Sequence, residues 1–218
     1  INGHDRKYLL ETIFNSLRII NPKLTIVVPT ATLNLVNSKK IFNLKDTPSD
    51  KMGPFSEYVR TLKNSIRSNH AIWSLSANGP LAEFIVKDIS KHAYDQNSTF
   101  SRLFEIKKSS FLAFGKHPRF MLSIIHHFEN MFNVPYGFKK EFNINCELGG
   151  KIISENFGLD VLKDHLPNNL RTKNKKIFEN FEKKGNLKQT VLGKGSIFFF
   201  DMNEFHHITK KLFEEDIN

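Results

Sequence analysis

The stretch "SIIHHFENMF", Ser123 to Phe132, places two histidines and a glutamate inside an apolar run. His126 and Glu129 are three positions apart, so on a helix they share one face, whereas His127 points elsewhere. An imidazole is the usual general base near neutral pH, and a neighbouring carboxylate can hold its tautomer and stabilise the imidazolium. The stretch could therefore hold a catalytic base with its partner, part of a metal site, or histidines of a core helix.

A metal site is the weakest of these three interpretations. Zinc takes three or four protein ligands, whereas the His-x-x-Glu pattern supplies two. The one cysteine, Cys146, excludes an internal disulfide and any zinc site built on several cysteines. We therefore expect no metal. Cys146 has no matching histidine motif and is a weak candidate for a nucleophile.

The location of the pair favours catalysis over a core role. The run "SSFLAFG" (109–115) is predicted to be a buried strand that ends at a glycine, and the helix with His126 follows it. Ligands of open α/β sheets bind at the carboxyl ends of the strands. This helix would begin at such an end.

Two other residues have side chains suited to ligand binding. His70 lies in "IRSNHAIWS", between two predicted helices, where it could contact phosphate, orient a substrate, or simply be solvated. Thr30 closes the β-branched run "LTIVVPT", where its hydroxyl could donate to an oxyanion or cap a turn. The histidine pair 206–207 lies on a predicted amphipathic helix and is assigned a surface or core role.

Composition narrows the class of protein. The 218 residues carry a formal net charge of +10, which favours an anionic partner such as a phosphorylated cofactor or substrate. The basic residues are scattered in short doublets, which disfavours nucleic acid. No apolar run is long enough to span a membrane, so we expect no membrane association and a cytoplasmic location. Dinucleotide, P-loop, nucleophile-elbow and zinc-protease motifs do not occur in the sequence.

Periodicity and turn signals predict alternating helices and strands, which is typical of a layered α/β domain. The loop signals are densest over 31–54, where we expect a long excursion. The predicted helices are 7–20, 56–66 with Ser56 as N-cap, 79–93, the stretch 123–132, 171–185 and the C-terminal segment after 202. The predicted strands are "LTIVVPT", 109–115 and 196–202, with a hairpin around "ELGGK" within 136–155.

Motifs along most of the chain, from about residue 10 to 214, resemble the aminoglycoside 3-N-acetyltransferase family. The family pattern has a strand that ends in Pro-Thr, then Met-Gly with Glu and Arg, then Arg-Ser-x-His, and later His-x-x-Glu after a glycine strand end. The matching positions here are Pro29-Thr30, Met52-Gly53, Glu57, Arg60, Arg67-Ser68-Asn69-His70, Ser74, Gly115 and His126-x-x-Glu129.

The resemblance implies a three-layer α/β/α sandwich with a central mixed sheet, formed by one acyl-CoA N-acyltransferase domain over 1–218. The chain opens inside a helix, whereas the family opens with a strand, so we expect an N-terminal strand to be missing. The implied co-substrate is acetyl-CoA or another acyl-CoA. The implied acceptor is the amine of an aminoglycoside or related amino sugar.

The resemblance also implies roles for individual residues. His126 would be the general base, with Glu129 or Glu155 as its acidic partner, and Thr30 would lie near the thioester. The cofactor-binding set would be Thr30, Arg67, Ser68 and Ser74, and the substrate-binding set His70 and Glu57.

Two alternative functions stay open at the level of sequence. A chain of +10 repels a cationic aminoglycoside, so the acceptor could be a nucleotide-linked amino sugar of surface-polysaccharide synthesis. From a different class, the chain could be a non-catalytic basic module that binds nucleic acid. Acceptor identity, acyl chain length and oligomeric state are not determined by these patterns.

Overall fold

The structure is a computed structural model that describes residues 3–120, 123–163 and 173–217. Its helices are α1 Gly3–Ile20, α2 Pro54–Thr61, α3 Ala82–Val86, α4 Thr99–Glu105, α5 Ile125–Met131, α6 Lys173–Lys183 and α7 Met202–Ile217. Its strands are β1 Ile26–Pro29, β2 Ile41–Asn43, β3 Ser65–Arg67, β4 Leu75–Asn78, β5 Ser110–Phe114, β6 Gly137–Leu148, β7 Lys151–Leu162, β8 Lys188–Leu192 and β9 Gly195–Asp201. None of the described helices is both long and apolar enough to cross a membrane.

The chain divides into two compact units. The first consists of Ile1–Ala93 and Glu141–Gly158, and the second of Tyr94–Lys140 and Leu159–Asn218. Neither unit is one continuous segment, because the long hairpin of β6 and β7 passes through both. The assignment of 1–218 to one domain stays a prediction.

The α/β class is confirmed, with sheets that are small. The described strands form three three-stranded sheets, in the orders β1-β4-β3, β2-β6-β7 and β5-β9-β8, where one central mixed sheet was expected. The parallel pairing of β2 with β6 makes the second sheet mixed, since β6 and β7 are joined by a tight turn.

The first sheet has a polar central strand that hydrophobic patterning does not reveal. All four residues of β4, "LSAN", are buried, and β1 and β3 pair with it on either side in antiparallel register. The strand predicted at "LTIVVPT" is confirmed as β1, an outer strand of this sheet, which suits Pro29 at its end. Ile26, Val28 and Val59 form a core on which Phe14 and Leu17 of α1 pack.

Two predicted helices of the first unit are wrong in extent. Helix α2 begins at Pro54 with Gly53 as its N-cap, so Ser56 lies inside the helix, and it ends at Thr61 before β3. Proline at the first helical position explains the early start. The helix predicted over 79–93 is reduced to α3, because Lys87 is extended and Asp88 has a φ of 52°. The excursion over 31–54 contains one helical turn and β2.

In the second unit, phenylalanine side chains cover one face of the β5-β9-β8 sheet. Phe200 of β9 is buried against Phe178 and Phe181 of α6 and Phe205 of α7. The predicted helix 171–185 is confirmed over Lys173–Lys183, and its first two residues lie outside the described ones. Strand 196–202 is confirmed as β9, but the preceding β8 was missed because its five residues are all exposed.

The strand before the histidine helix differs from expectation in burial and pairing. Strand β5 is confirmed, but Leu112 is exposed at 37%, so it is not a fully buried strand. It pairs antiparallel with β9. The rule that ligands bind at the carboxyl ends of parallel strands therefore does not apply to it. Helix α5 begins at Ile125, after a further turn at Pro118–Phe120.

Gly158 makes a close contact that no larger residue could make. It forms a parallel bridge with His92, in which Gly158 N–H donates to Lys91 O at 2.8 Å and Ala93 N–H donates to Gly158 O at 3.0 Å. A Cβ at this position would overlap Cδ2 of the His92 ring and would lie 3.2 Å from its Cγ. Steric exclusion, and not backbone conformation, thus requires glycine here.

We expect the substitution Gly158→Ala to lower the free energy of unfolding by about 1–3 kcal/mol, since overpacking forces the bridge apart. Urea denaturation monitored by circular dichroism measures this change. Gly195→Ala is the matched control, because a Cβ there meets only Leu192 O at 3.7 Å. Equal stabilities of the two variants would contradict the steric argument.

Candidate functional site

The candidate base lies on a short helix that one buried face anchors. Ile125 and Phe128 of α5 are buried, and the Phe128 ring contacts those of Phe104, Phe205 and Phe213. Ile125 and Phe128 therefore turn inward, which leaves His126 on the solvent side with its side chain 39% exposed. The helix predicted at this stretch is confirmed.

His126 and Glu129 form the predicted pair. The distance between Nδ1 of His126 and Oε2 of Glu129 is 2.6 Å, and the Glu129 side chain is 11% exposed. The other carboxylate oxygen, Oε1, accepts a hydrogen bond from the Tyr136 hydroxyl at 3.1 Å. A proton on Nδ1 that is donated to the carboxylate leaves Nε2 as the basic nitrogen. The Tyr94 ring packs on the imidazole with centroids 5.2 Å apart.

His127 has a structural role. Its Nδ1–H donates to the backbone oxygen of Tyr94 at 2.7 Å, and its ring is buried beside Phe104 and Phe128. Burial lowers the pKa of His127, which keeps the imidazole neutral. His206 likewise contacts the rings of Phe104 and Phe128, and its pKa is lowered mainly by burial.

His126 and Glu129 line a concavity in the second unit. Its other lining residues are Asn130, Asn133, Val134, Gly137, Phe138, Lys139, Asp160, Val161 and Leu162. Asp160 of β7 brings a second carboxylate, whose Oδ2 accepts from Asn130 Nδ2 at 2.8 Å. The concavity therefore combines a basic nitrogen with two carboxylates, a set suited to an amine.

Asp160 and Tyr136 were missed by the sequence motifs. Both lie on the segments that enter and leave the long hairpin, where alternation marks a strand without marking a site. The two carboxylates also act on Tyr94. Burial is the main cause that raises the pKa of its hydroxyl well above the ordinary value, and the charges of Asp160 and Glu129 raise it further.

The residues predicted to hold coenzyme A form a buried network in the first unit. Arg67 donates from Nε to Ser74 Oγ at 2.9 Å, from Nη1 to Thr47 O at 2.6 Å and from Nη2 to Thr30 O at 2.6 Å. The Thr30 hydroxyl is buried 3.1 Å from Ser74 Oγ. Burial, followed by repulsion from Arg60, lowers the pKa of Arg67 to about 10. These donors are directed at the protein.

Ser68 and Glu57 have similar internal partners. Ser68 is fully buried, and its Oγ accepts from Leu75 N–H at 2.9 Å. Glu57 receives Arg60 Nε and Nη2 at 2.9 and 2.6 Å, and Ser49 N–H at 3.0 Å. Burial alone would raise the pKa of Glu57, but these hydrogen bonds lower it to about 2. Contact of either residue with a ligand stays a prediction.

Glu155, the second candidate acid, lies in the first unit with another partner. Its Oε1 is 3.0 Å from Lys91 Nζ, and its Oε2 is buried without a hydrogen bond from the described residues. The free thiol of Cys146 is nearby, where burial and the Glu155 charge raise its pKa to about 11. The thiol is therefore protonated near neutral pH and is a poor nucleophile.

The described residues include no group of three or more His, Cys, Asp or Glu side chains placed to hold a metal ion. The pair of His126 and Glu129, with Asp160 held by Asn130, is not such a group. The expectation that the reaction needs no metal stays a prediction.

His70 is buried and not a solvated loop residue. Its Nδ1 accepts from Trp73 N–H at 2.9 Å, so the proton resides on Nε2, which faces Gly158 O at 3.4 Å. The ring packs on Phe157 with centroids 5.0 Å apart. Burial is the main cause that lowers the pKa of His70 to about 4.

Comparison with known proteins gives one family and one fold. A sequence model described as "Aminoglycoside 3-N-acetyltransferase" matches residues 7–214. No curated protein sequence is matched.

Three solved structures illustrate the shared fold. "Aminoglycoside acetyltransferase AAC(3)-Xa" has a TM-score of 0.80 and 17% identity, covering 96% of this chain and 81% of that chain. "AAC-IIIb binary with CoASH" has a TM-score of 0.77 and 19% identity, covering 95% and 84%. "Sisomicin bound AAC-VIa" has a TM-score of 0.80 and 15% identity, covering 95% and 85%. At these identities the similarity is one of fold.

Acidification provides a test of the buried His70. Its folded pKa of about 4 lies below the ordinary 6.5, so the unfolded chain binds the extra proton first. Stability contributed by the neutral ring is complete above pH 6.5 and falls as pH drops towards 4, by up to ~3 kcal/mol. Urea unfolding from pH 4 to 7 measures this slope.

In His70→Gln the same range should show a flatter slope, because the titrating group is gone. His207→Gln, at an exposed histidine of α7, is the matched control and should keep the wild-type slope. A His70→Gln slope equal to that of wild type would show that His70 is not buried as a neutral ring.

Proposed function

Because the chain belongs to the aminoglycoside 3-N-acetyltransferase family, as its motifs predicted, we propose that it transfers an acyl group from acyl-CoA to the amine of an aminoglycoside or related amino sugar. The chain is an acetyltransferase by family. The observation that carries the proposal is the hydrogen-bonded series of Tyr136, Glu129 and His126 at the edge of a concavity with a second carboxylate.

His126 is the proposed general base. Its Nδ1–H donates to Glu129, so its Nε2 takes the proton that the acceptor amine loses as the amine nitrogen bonds to the acyl carbon. The resulting imidazolium returns that proton to the departing thiolate, which leaves an amide and a free thiol. Acyl-CoA supplies the thioester carbonyl and the acceptor supplies the amine, whereas the base and its acidic partner belong to this chain.

Glu129 is the proposed partner of His126, and Glu155 is not needed for that role. Glu129 is 2.6 Å from the imidazole, and the Tyr136 hydroxyl holds its second oxygen. A carboxylate in this position orients the ring and stabilises the imidazolium as it forms. Glu155 instead pairs with Lys91, whose Nζ lies 3.0 Å from its Oε1.

The first-unit motif residues fit a supporting role better than direct contact with coenzyme A. A phosphate needs exposed donors, whereas Arg67, Ser68 and Ser74 are buried and bonded to protein atoms. Arg67 holds the backbone oxygens of Thr30 and Thr47, so it shapes the chain that follows β1. We assign Thr30 to the same network, because its buried hydroxyl lies 3.1 Å from Ser74 Oγ and contacts the protein instead of an oxyanion.

Replacing the base tests the mechanism. We expect His126→Ala to lower kcat/KM by about 10²–10⁴-fold, which is the usual contribution of general base catalysis. Thiol release from acetyl-CoA, measured with a panel of aminoglycosides and nucleotide-linked amino sugars, is the assay. His207→Gln should retain wild-type rates, and retention of near-normal turnover by His126→Ala would refute the assignment.

Replacing each acid separately distinguishes the two candidates. Glu129→Gln should lower kcat by about 10²-fold or more, since a neutral amide no longer stabilises the imidazolium. Glu155→Gln should keep kcat close to that of wild type. Thermal denaturation of both variants separates a loss of folded protein from a loss of chemistry. The opposite order of effects would assign the partner role to Glu155.

A further inference from the structure

The concavity beside His126 contains a cation as well as carboxylates. Lys139 of β6 is exposed and lines the same concavity as Glu129 and Asp160. Among the residues that the structure describes, its ammonium has no carboxylate within ion-pair distance and no hydrogen-bond acceptor. By contrast, both carboxylates have protein donors, Tyr136 for Glu129 and Asn130 for Asp160.

Charge of both signs in one concavity constrains what can bind there. The two carboxylates suit the amine that is to be acylated, before it loses its proton. The lysine in the same space repels a second or third ammonium, and the net charge of +10 adds to that repulsion. A polycationic acceptor therefore fits poorly, whereas an acceptor with one amine and one anionic group satisfies both signs.

We infer that Lys139 is a specificity-determining residue for an amino sugar that carries a phosphate, either as a sugar phosphate or within a nucleotide-linked sugar. The inference rests on the proposed acyl transfer at His126 and adds the class of acceptor. A lysine binds phosphate as a point charge through three rotatable donors, which suits an exposed side chain on a strand. The amine of the same ligand then lies on the carboxylate side, toward His126.

The test compares two acceptors that differ only in a phosphate, glucosamine and glucosamine 6-phosphate, with a UDP-linked amino sugar as a third. Thiol release at saturating acetyl-CoA is measured for wild type, Lys139→Gln and the control Lys108→Gln. Lys108 is an exposed lysine of the same unit that does not line the concavity, so it matches the change in net charge.

We expect wild type to prefer the phosphorylated acceptors in kcat/KM. Lys139→Gln should raise their KM by about tenfold, the scale of one charge-assisted contact, and leave glucosamine unchanged. Lys108→Gln should behave as wild type. Calorimetric titration with glucosamine 6-phosphate gives a readout independent of turnover and should show the same loss of affinity in Lys139→Gln alone.

Three results would overturn the inference. Wild type could show no preference for phosphate, Lys108→Gln could lose as much as Lys139→Gln, or Lys139→Gln could raise the KM of acetyl-CoA instead, which would assign Lys139 to coenzyme A. In each case thiol release with some amino sugar still supports the proposed function. Absence of thiol release with every acceptor, aminoglycosides included, would reject the proposed function and this inference with it.

Discussion

Burial of the Phe128 face of helix α5 is the constraint on which the candidate site depends. A helix of seven residues is too short to be stable alone, so its position is determined by packing. The rings of Phe104, Phe205 and Phe213 hold Phe128, and His127 adds a hydrogen bond to Tyr94 O. With these residues turned inward, the 3.6-residue period leaves His126 and Glu129 together on the face that lines the concavity.

With α5 packed in this position, hydrogen bonds determine the orientation and the tautomer of the His126 imidazole. Glu129 contacts His126 with one oxygen and Tyr136 with the other, so its position is determined from two sides. The neighbouring histidine, in a buried setting, has a lowered pKa and no access to ligand. Two adjacent residues of one type thus differ in environment, because His127 faces the core and His126 faces a concavity.

Local patterns predicted those elements whose apolar period is strong. Such patterns predicted four helices, three strands and one hairpin turn: α1, α5, α6 and α7, β1, β5 and β9, and the turn at Gly149 and Gly150. Strand β4 did not, since "LSAN" is a short run in which the polar Ser76 and Asn78 are buried together with Leu75 and Ala77. The ligand contacts that the resemblance implies for Arg67 and Ser74 stay a prediction, because sequence does not distinguish an exposed donor from one bonded to a protein oxygen, as Arg67 is here.

By itself the sequence determined the pairing of His126 with Glu129 and the family, because both depend on residue types at short, fixed spacings. The sequence also determines the single cysteine, which excludes an internal disulfide, and the formal net charge of +10. Only the tertiary structure decided that Asp160, Tyr136 and Lys139 join the pair. Lys139 and Asp160 come from the two strands of the long hairpin and Tyr136 directly precedes it, and strand pairing brings distant positions together with no trace in local periodicity. Tertiary packing likewise decided that Arg67 and Thr30 lie inside the protein, since burial is a property of the folded chain.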